Sequence, residues 1–210
     1  MARPSNRERI LSAGMRVVME LGFMGATVRD IVLAAGVPQG SFTNHFASKE
    51  AFGLELLERY VAEIEALLEA TVRDPDMAPL DAIAAYIAAN RARLEQDHLA
   101  GCLSGNLSIE AAQHSNAMRQ RLIRMFADVE QAIAACLRRA QAEGALAAQR
   151  DPVRLAQAMV GGLQGAMLLA RLHRDSTPVA QFQQTALELM QSPLPPSYPP
   201  HPYKERNGLA

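Results

Sequence analysis

The sequence has no tryptophan, few aromatic residues and only two cysteines. Aromatic residues make up 5% of the 210 positions, whereas hydrophobic residues make up 49%. Many of the hydrophobic residues are alanine, leucine and methionine, which favour helices, so we expect an all-α fold. Cys102 and Cys136 are too few for a disulfide framework, and we expect both thiols to be reduced.

Segments that direct a chain to a membrane are also lacking. The N-terminal stretch MARPSNRERI has no apolar core of the kind that a signal peptide needs. No apolar run approaches the ~18 residues that a membrane span requires. We therefore expect a soluble, cytoplasmic protein without a membrane partner.

Charge of one sign is not in excess, because the formal net charge is −1. This balance excludes a uniformly basic nucleic-acid binder. Residues 1–50 hold six basic and four acidic side chains, whereas residues 51–76 hold two basic and seven acidic ones. A mildly cationic segment is therefore followed by an acidic one.

Helix signals divide the chain into three parts. Residues 1–50 contain three short predicted helices, the first capped by Asn6, in a helix-turn-helix arrangement. Residues 51–190 contain longer helical patterns and are predicted to form a larger helical domain. A helix predicted over 48–71 is long enough to link the two parts. Residues 191–210 are too rich in proline for a helix and are predicted to form an extended tail.

A helix-turn-helix pattern lies between residues 27 and 46. Thr27 and Asp30 form a capping-box pattern at the start of the second helix. Gly36 suits the turn, and Pro38 suits the first position of the third helix.

The third predicted helix has one apolar and one polar face. Phe42 and Phe46 are four residues apart and are expected to face the core. The expected outer face consists of short polar or small residues: Gln39, Gly40, Ser41, Thr43 and Asn44. Such side chains suit the base edges of the major groove, whereas Lys49 and Thr27 suit phosphates. The alternative is a solvated connector without a partner.

Residues 7–53 resemble the DNA-binding domain of the TetR family of bacterial repressors. The resemblance is carried by Gly22-Phe23, Ala26-Thr27, Arg29-Asp30-Ile31, Ala35-Gly36-Val37, Gly40-Ser41, His45-Phe46 and Ser48-Lys49-Glu50. It implies an Ω-shaped, all-helical homodimer that binds a palindromic operator in double-stranded DNA. It also adds His45 to the residues expected at the DNA, and it implies that residues 51–190 bind a ligand and dimerise.

Two departures from the family pattern fall in the third helix. The family often has lysine at position 39 and aromatic residues at positions 43 and 44. This chain has Gln39, Thr43 and Asn44 there. One positive charge fewer predicts one phosphate contact fewer per subunit, and hence a shallower salt dependence of DNA binding.

The stretch GCLSGNL, residues 101–107, predicts a loop or a helix break because two glycines flank Cys102. Together with LQGAMLLAR at 163–171, it resembles the branch of the family typified by the N-ethylmaleimide reductase repressor. That resemblance implies that Cys102 senses electrophiles or oxidants with the help of a basic residue, here Arg171. An arginine near the thiol favours the reactive thiolate. The alternative is a buried, unreactive cysteine, as expected for Cys136.

The predicted function is a TetR-type repressor that leaves its operator when the C-terminal domain senses a small molecule or a thiol-reactive compound. The alternatives are induction by a purely noncovalent apolar ligand and, in a different class, an all-helical protein-interaction adaptor. An enzyme is not expected, because no nucleophile–base pair or phosphate-binding loop is present. No cofactor and no metal site are expected. His98, His114 and His173 could in principle meet Cys102, and His98 is four residues from it, but Gly101 weakens the helix there and no second closely spaced ligand pair appears.

A stripe of small residues on the helix predicted over 152–174 suggests where two subunits meet. The residues are Gly161, Gly162, Gly165, Ala166 and Ala170, with Val179, Phe182, Ala186 and Leu189 on the next helix. Two such helices from each subunit would form a four-helix bundle. The alternative is packing within one subunit. In the dimer, an effector would tilt the helix predicted over 48–71. The third helices of the two subunits would then no longer match the spacing of the two operator half-sites.

Overall fold

The computed structural model describes residues 5–96, 101–110 and 113–192. All regular secondary structure in these residues is α-helical, which confirms the predicted fold class. The helices are α1 (Asn6–Leu21), α2 (Val28–Ala35), α3 (Gly40–His45), α4 (Lys49–Glu69), α5 (Pro79–Gln96), α6 (Leu103–Glu110), α7 (Asn116–Ala142), α8 (Pro152–His173) and α9 (Thr177–Gln191). His98 and residues 193–210, which make up nearly all of the predicted tail, lie outside the described residues.

Local capping hydrogen bonds fix the starts of the N-terminal helices. Ser5, rather than Asn6, caps α1, since Ser5 Oγ accepts a hydrogen bond from the Glu8 amide at 3.2 Å. The capping box of α2 is confirmed, because Thr27 and Asp30 each accept a hydrogen bond from the other's backbone amide. Gly36 ends α2 in the left-handed region at φ 61°, a conformation that costs glycine little.

An aromatic cluster holds the first four helices together. The Phe52 ring of α4 lies 5.4 Å from that of Phe42 and 5.2 Å from that of Phe46, centroid to centroid. Gly14 of α1 leaves the space that the Phe52 ring occupies. Helix α3 is therefore anchored to α1 and α4 through Phe42, which it contains, and Phe46, which directly follows it.

The long helix α4 connects the N-terminal helices with the rest of the chain. It buries Phe52, Leu56, Tyr60, Ile64 and Leu68 on one face, as its sequence pattern predicts. Ion pairs extend from α4 in both directions, to α1 and to α7. Arg59 lies 2.7 Å from Glu8 of α1, and Glu58 lies 2.7 Å from Arg121 of α7.

The larger part of the molecule is a helical bundle in which α7 packs against α5 and α8, and α9 packs against α8 and α5. The expected loop over 101–107 is only partly correct. Gly101, at φ 90°, breaks the chain as expected, but helix α6 begins at Leu103, within the stretch expected to be a loop. By length and composition alone α8 could cross a membrane, but 39% of its apolar window is buried within the fold. Such a composition is also usual for a core helix.

Candidate functional site

The recognition helix α3 presents a polar surface to solvent. The exposed residues are Gln39, Gly40, Thr43, Asn44 and His45. A Cβ added at Gly40 would meet nothing within 4 Å, so this end of the helix is open to close approach by a partner. Thr43 Oγ1 donates a hydrogen bond to the Gly40 carbonyl at 3.1 Å, which orients the Thr43 methyl group.

Ser41 is not part of this surface. Only 9% of it is exposed, and it packs beside Phe42 in the interior. The helical wheel placed Ser41 on the flank of the outer face, and that expectation is wrong. Because α3 packs against both α1 and α2, its buried arc is wide enough to cover two successive positions.

Thr27 and Lys49 flank α3, but both already have partners within the chain. Thr27 Oγ1 donates to Asp30 Oδ2 at 2.6 Å while capping α2. Lys49 Nζ donates to the Met24 carbonyl at 3.3 Å and lies 4.9 Å from the centroid of the Phe23 ring. Burial lowers the pKa of Lys49, and the nearby Glu110 carboxylate opposes that shift. A phosphate at this position would have to share the ammonium group with Met24.

A short helix that follows a glycine turn, rests on an aromatic core and exposes small polar side chains is the reading element of a helix-turn-helix protein. The fold and this site define a DNA-binding transcriptional regulator of the helix-turn-helix type. Residues 10–56 match the family model of bacterial regulatory proteins of the tetR family, and residues 79–186 match that of the tetracyclin repressor-like C-terminal domain. The chain belongs to the TetR family and is a repressor of that type. TetR-family repressors bind operator DNA and function as dimers.

Curated relatives and solved structures agree with this assignment. The repressor DhaR of Mycobacterium sp. (strain GP1) is 33% identical over 190 residues, which cover 90% of this chain and 94% of DhaR. The repressor NemR of Escherichia coli (strain K12) is 29% identical over 174 residues, which cover 82% of this chain and 87% of NemR. The crystal structure of regulatory protein TetR from Rhodobacter sphaeroides superposes with a TM-score of 0.81 at 32% identity, covering 86% of this chain and 96% of that one. The similarity to NemR is consistent with the resemblance noted in the sequence.

Cys102 lies immediately before α6 and is half-buried. Its Sγ accepts a hydrogen bond from the Gly105 amide at 3.2 Å, so the sulfur caps the first turn of the helix. Its thiol donates to Gln164 Oε1 of α8 at 3.1 Å. Cys102 is thus neither a free loop residue nor a fully enclosed one. Gln164 belongs to the stretch LQGAMLLAR, but its contact with Cys102 was not predicted, because the two residues are 62 positions apart.

Arg171 lies on the same side of α8 as Gln164, next to the turn that contains Cys102. Its Nη1 donates to Asn106 Oδ1 of α6 at 2.7 Å. A Cβ added at Gly101 would lie 3.3 Å from Arg171 Cδ, so the glycine permits this close approach. The structure therefore brings the two predicted sensing residues together at one cleft, with the Arg171 guanidinium held by Asn106.

Two clefts meet at Cys102. The outer cleft, of about 350 Å³, is bordered by Cys102, Ile109, Phe126, Leu168 and Arg171. The interdomain cleft, of about 400 Å³, is bordered by Cys102, Tyr60 and Arg93, and also by Met15 and Arg16 of α1. Both volumes fall in the range of small-molecule sites. Burial raises the pKa of Tyr60, so its hydroxyl stays a proton donor at the cleft wall.

Cys136 is a core residue, as predicted. It is 2% exposed, and its thiol donates to the Pro79 carbonyl at 3.3 Å. Burial raises the pKa of the Cys136 thiol, which keeps it protonated and unreactive. Within the described ranges, no group of three His, Cys, Asp or Glu side chains could hold a metal ion.

The predicted dimer face is only partly exposed. Gly162 leaves room for the Phe182 ring of the same subunit, and Ala166, Ala170 and Val179 are buried, so these residues pack within one chain. The stripe of α8 that faces solvent keeps Gly161 and Gly165 from the predicted set and adds Leu168, Leu169 and Leu172. Its spacing of four, seven, eight and eleven positions from Gly161 is the helical pattern that could have indicated it from the sequence.

Proposed function

We propose that this repressor reads its operator with the exposed face of α3 and that a reaction or ligand at Cys102 releases it. Gln39, Gly40, Thr43, Asn44 and His45 would meet the bases or nearby backbone. The N-terminus of α2 at Thr27 and the ammonium group of Lys49 would meet phosphates. Since its target is operator DNA, we place the protein in the cytoplasm.

The observation that carries the sensing proposal is the position of Cys102 where two clefts meet, at the start of α6. When a maleimide enters, the thiol proton passes to solvent and the sulfur forms a bond to one carbon of the C=C double bond. The π bond breaks, and the neighbouring carbon takes a proton from water, so no group leaves.

An adduct on Cys102 changes the contacts of its sulfur. Alkylation removes the thiol proton, so the sulfur can no longer donate to Gln164 Oε1 of α8. The side of the sulfur that faces Gly105 is tightly packed, since a Cβ added at Gly105 would lie 3.0 Å from Cys102 Sγ, so the added group has to extend into one of the two clefts. We propose that α6 then moves relative to α8, and that operator affinity falls because the adduct fits the DNA-bound form less well.

Treatment with N-ethylmaleimide is expected to release the reduced repressor from DNA upstream of its own gene. In a gel shift, we expect the wild-type Kd to rise at least about tenfold, the Cys102→Ser variant to be unaffected, and the Cys136→Ser control to behave as wild type. Release of Cys102→Ser by N-ethylmaleimide would contradict covalent sensing. If an apolar ligand in the clefts released the repressor from DNA while Cys102 stayed unmodified, induction would instead be noncovalent.

Restoring a lysine at position 39 is expected to steepen the salt dependence of DNA binding. Gln39 is exposed beside the open end of α3, so Gln39→Lys would add one phosphate contact per subunit. The slope of log K against log salt should become more negative by about 0.9 per contact, roughly 1.8 per dimer. Fluorescence anisotropy at several salt concentrations measures this slope. Gln131→Lys, which adds the same charge on the exposed side of α7, should leave it unchanged.

We propose that dimers form through the exposed stripe of α8 together with the exposed side of α9. On α9 only Leu189 of the predicted apolar positions is strongly exposed, at 59%. Glycines at positions 161 and 165 have open space beside them, which allows a helix of the partner to approach closely. Four helices, two from each subunit, would then form the interface.

A further inference from the structure

The last residue of α6, Glu110, contacts the turn between α1 and α2. Glu110 Oε2 accepts a hydrogen bond from the Met24 amide at 3.0 Å. Gly22, at φ 78°, has no side chain, and a Cβ there would lie 2.5 Å from Glu110 Oε1 and 2.6 Å from Oε2. The carboxylate therefore fits a recess that exists only because position 22 is a glycine.

The same turn is held from its other side by Lys49, the first residue of α4. Glu110 accepts from the Met24 amide, while Lys49 Nζ donates to the Met24 carbonyl. The carboxylate and the ammonium attract each other across this residue. Phe23 completes the contact, since its ring lies under Lys49 Nζ and fills the space left by Gly53 of α4.

The position of this turn matters for DNA binding. Residues 22–27 end at Thr27, the cap of α2, and α2 precedes the recognition helix. Lys49 is itself a proposed phosphate contact. A displacement of Glu110 would therefore change both the start of α2 and the ammonium group available to DNA.

We propose that Glu110 is a positioning residue through which α6 controls the DNA-binding helices. Helix α6 has eight residues and is roughly 12 Å long, with Cys102 adjoining its first turn and Glu110 at its other end. A shift of α6 at Cys102 would then move Glu110, which contacts Met24 directly. The link between α6 and DNA stands on the contacts of Glu110, and only its role in induction rests on the proposed sensing at Cys102.

A link of this kind is reciprocal, because if α6 alters DNA binding, DNA binding must alter α6. Amide hydrogen exchange of residues 103–110 reports the second effect without any inducer. In the full-length wild type, we expect DNA upstream of its own gene to change the exchange rate of α6 at least about fivefold. In Glu110→Gln, which keeps the size of the side chain but loses its charge, we expect less than about a twofold change.

Glu58→Gln is the matched control, since it removes the carboxylate of an ion pair between α4 and α7, that with Arg121. We expect it to keep the wild-type effect of DNA on α6. Thermal melting and the Kd for DNA show whether each variant is folded and saturated. An exchange effect in Glu110→Gln equal to that of the wild type, or none in the wild type, would overturn the proposal.

The response to N-ethylmaleimide separates this inference from the proposed function. If both hold, the rise in Kd on alkylation should fall from at least about tenfold in the wild type to less than about threefold in Glu110→Gln. If alkylation does not release the wild type but DNA still changes α6 exchange through Glu110, the sensing proposal fails and the inference stands. Equal release of the wild type and Glu110→Gln by alkylation would overturn the role of Glu110 in induction.

Discussion

Phe52→Ala is expected to unfold the N-terminal helices and to abolish operator binding. Phe52 is fully buried and contacts the rings of Phe42 and Phe46, which are the anchors of the recognition helix. Removing a buried phenylalanine ring costs about 3–5 kcal/mol because it loses buried area and leaves a cavity. A small helical domain has a total stability of the same order, about 5 kcal/mol. The cavity would lie between α1, α3 and α4, where the lost ring contacts both Phe42 and Phe46.

Circular dichroism during heating and a gel shift together measure this effect. Phe52→Leu is the matched control, because it keeps most of the buried volume and should retain a cooperative transition and DNA binding. We expect Phe52→Ala to lose the specific complex at all protein concentrations at which the wild type is saturated. A Phe52→Ala protein that melts with the wild type and binds DNA equally well would show that the aromatic cluster does not anchor α3.

The helices of this fold follow closely from local signals. Capping residues and helical periodicity predicted α2, α4 and α8 to within a few residues of their observed bounds. Their predictability has a physical reason, since caps satisfy backbone groups that otherwise lose their partners at helix ends. Where two capping residues are adjacent, as with Ser5 and Asn6, the sequence alone does not decide between them.

Helix α6 was not predicted because long-range packing stabilises it. The two glycines near Cys102 lower helix propensity, and they led to the expectation of a loop. In the fold, Leu103 and Leu107 are each 1% exposed, so burial of these side chains outweighs the cost of Gly105 within the helix. Such burial depends on neighbours that are remote in the chain.

The surface of α3 was predictable except at Ser41, since a helical wheel follows from residue spacing alone. The contacts that connect α6 to the rest of the molecule were not. Glu110 and Met24 are 86 positions apart, and Cys102 and Gln164 are 62 apart. Neither pair belongs to a local pattern, so only the folded chain brings them together. A charge at the end of a short helix is otherwise an ordinary surface residue.

Leu172→Glu is expected to convert the dimer into monomers and to weaken operator binding by about 10²–10⁴-fold, because two linked half-sites bind far more tightly than one. Leu172 is 75% exposed on α8 and belongs to the stripe proposed as the dimer face. A glutamate buried without a partner costs about 3–5 kcal/mol, and the two-fold symmetry of a dimer would bury two of them. We expect that burial at the α8 stripe, since Gly161 and Gly165 have open space beside them for a second helix.

Analytical ultracentrifugation and a DNA titration, performed on the same samples, test this outcome. Ile123→Glu is the matched control, because Ile123 is also exposed, at 51%, but lies on α7 and not on α8. The control should remain a dimer with wild-type Kd, which would show that a new surface charge alone does not cause dissociation. A dimeric Leu172→Glu protein would place the subunit interface elsewhere. A monomer that still bound DNA with wild-type Kd would instead show that one recognition helix is sufficient, and that register between two helices cannot be what an inducer changes.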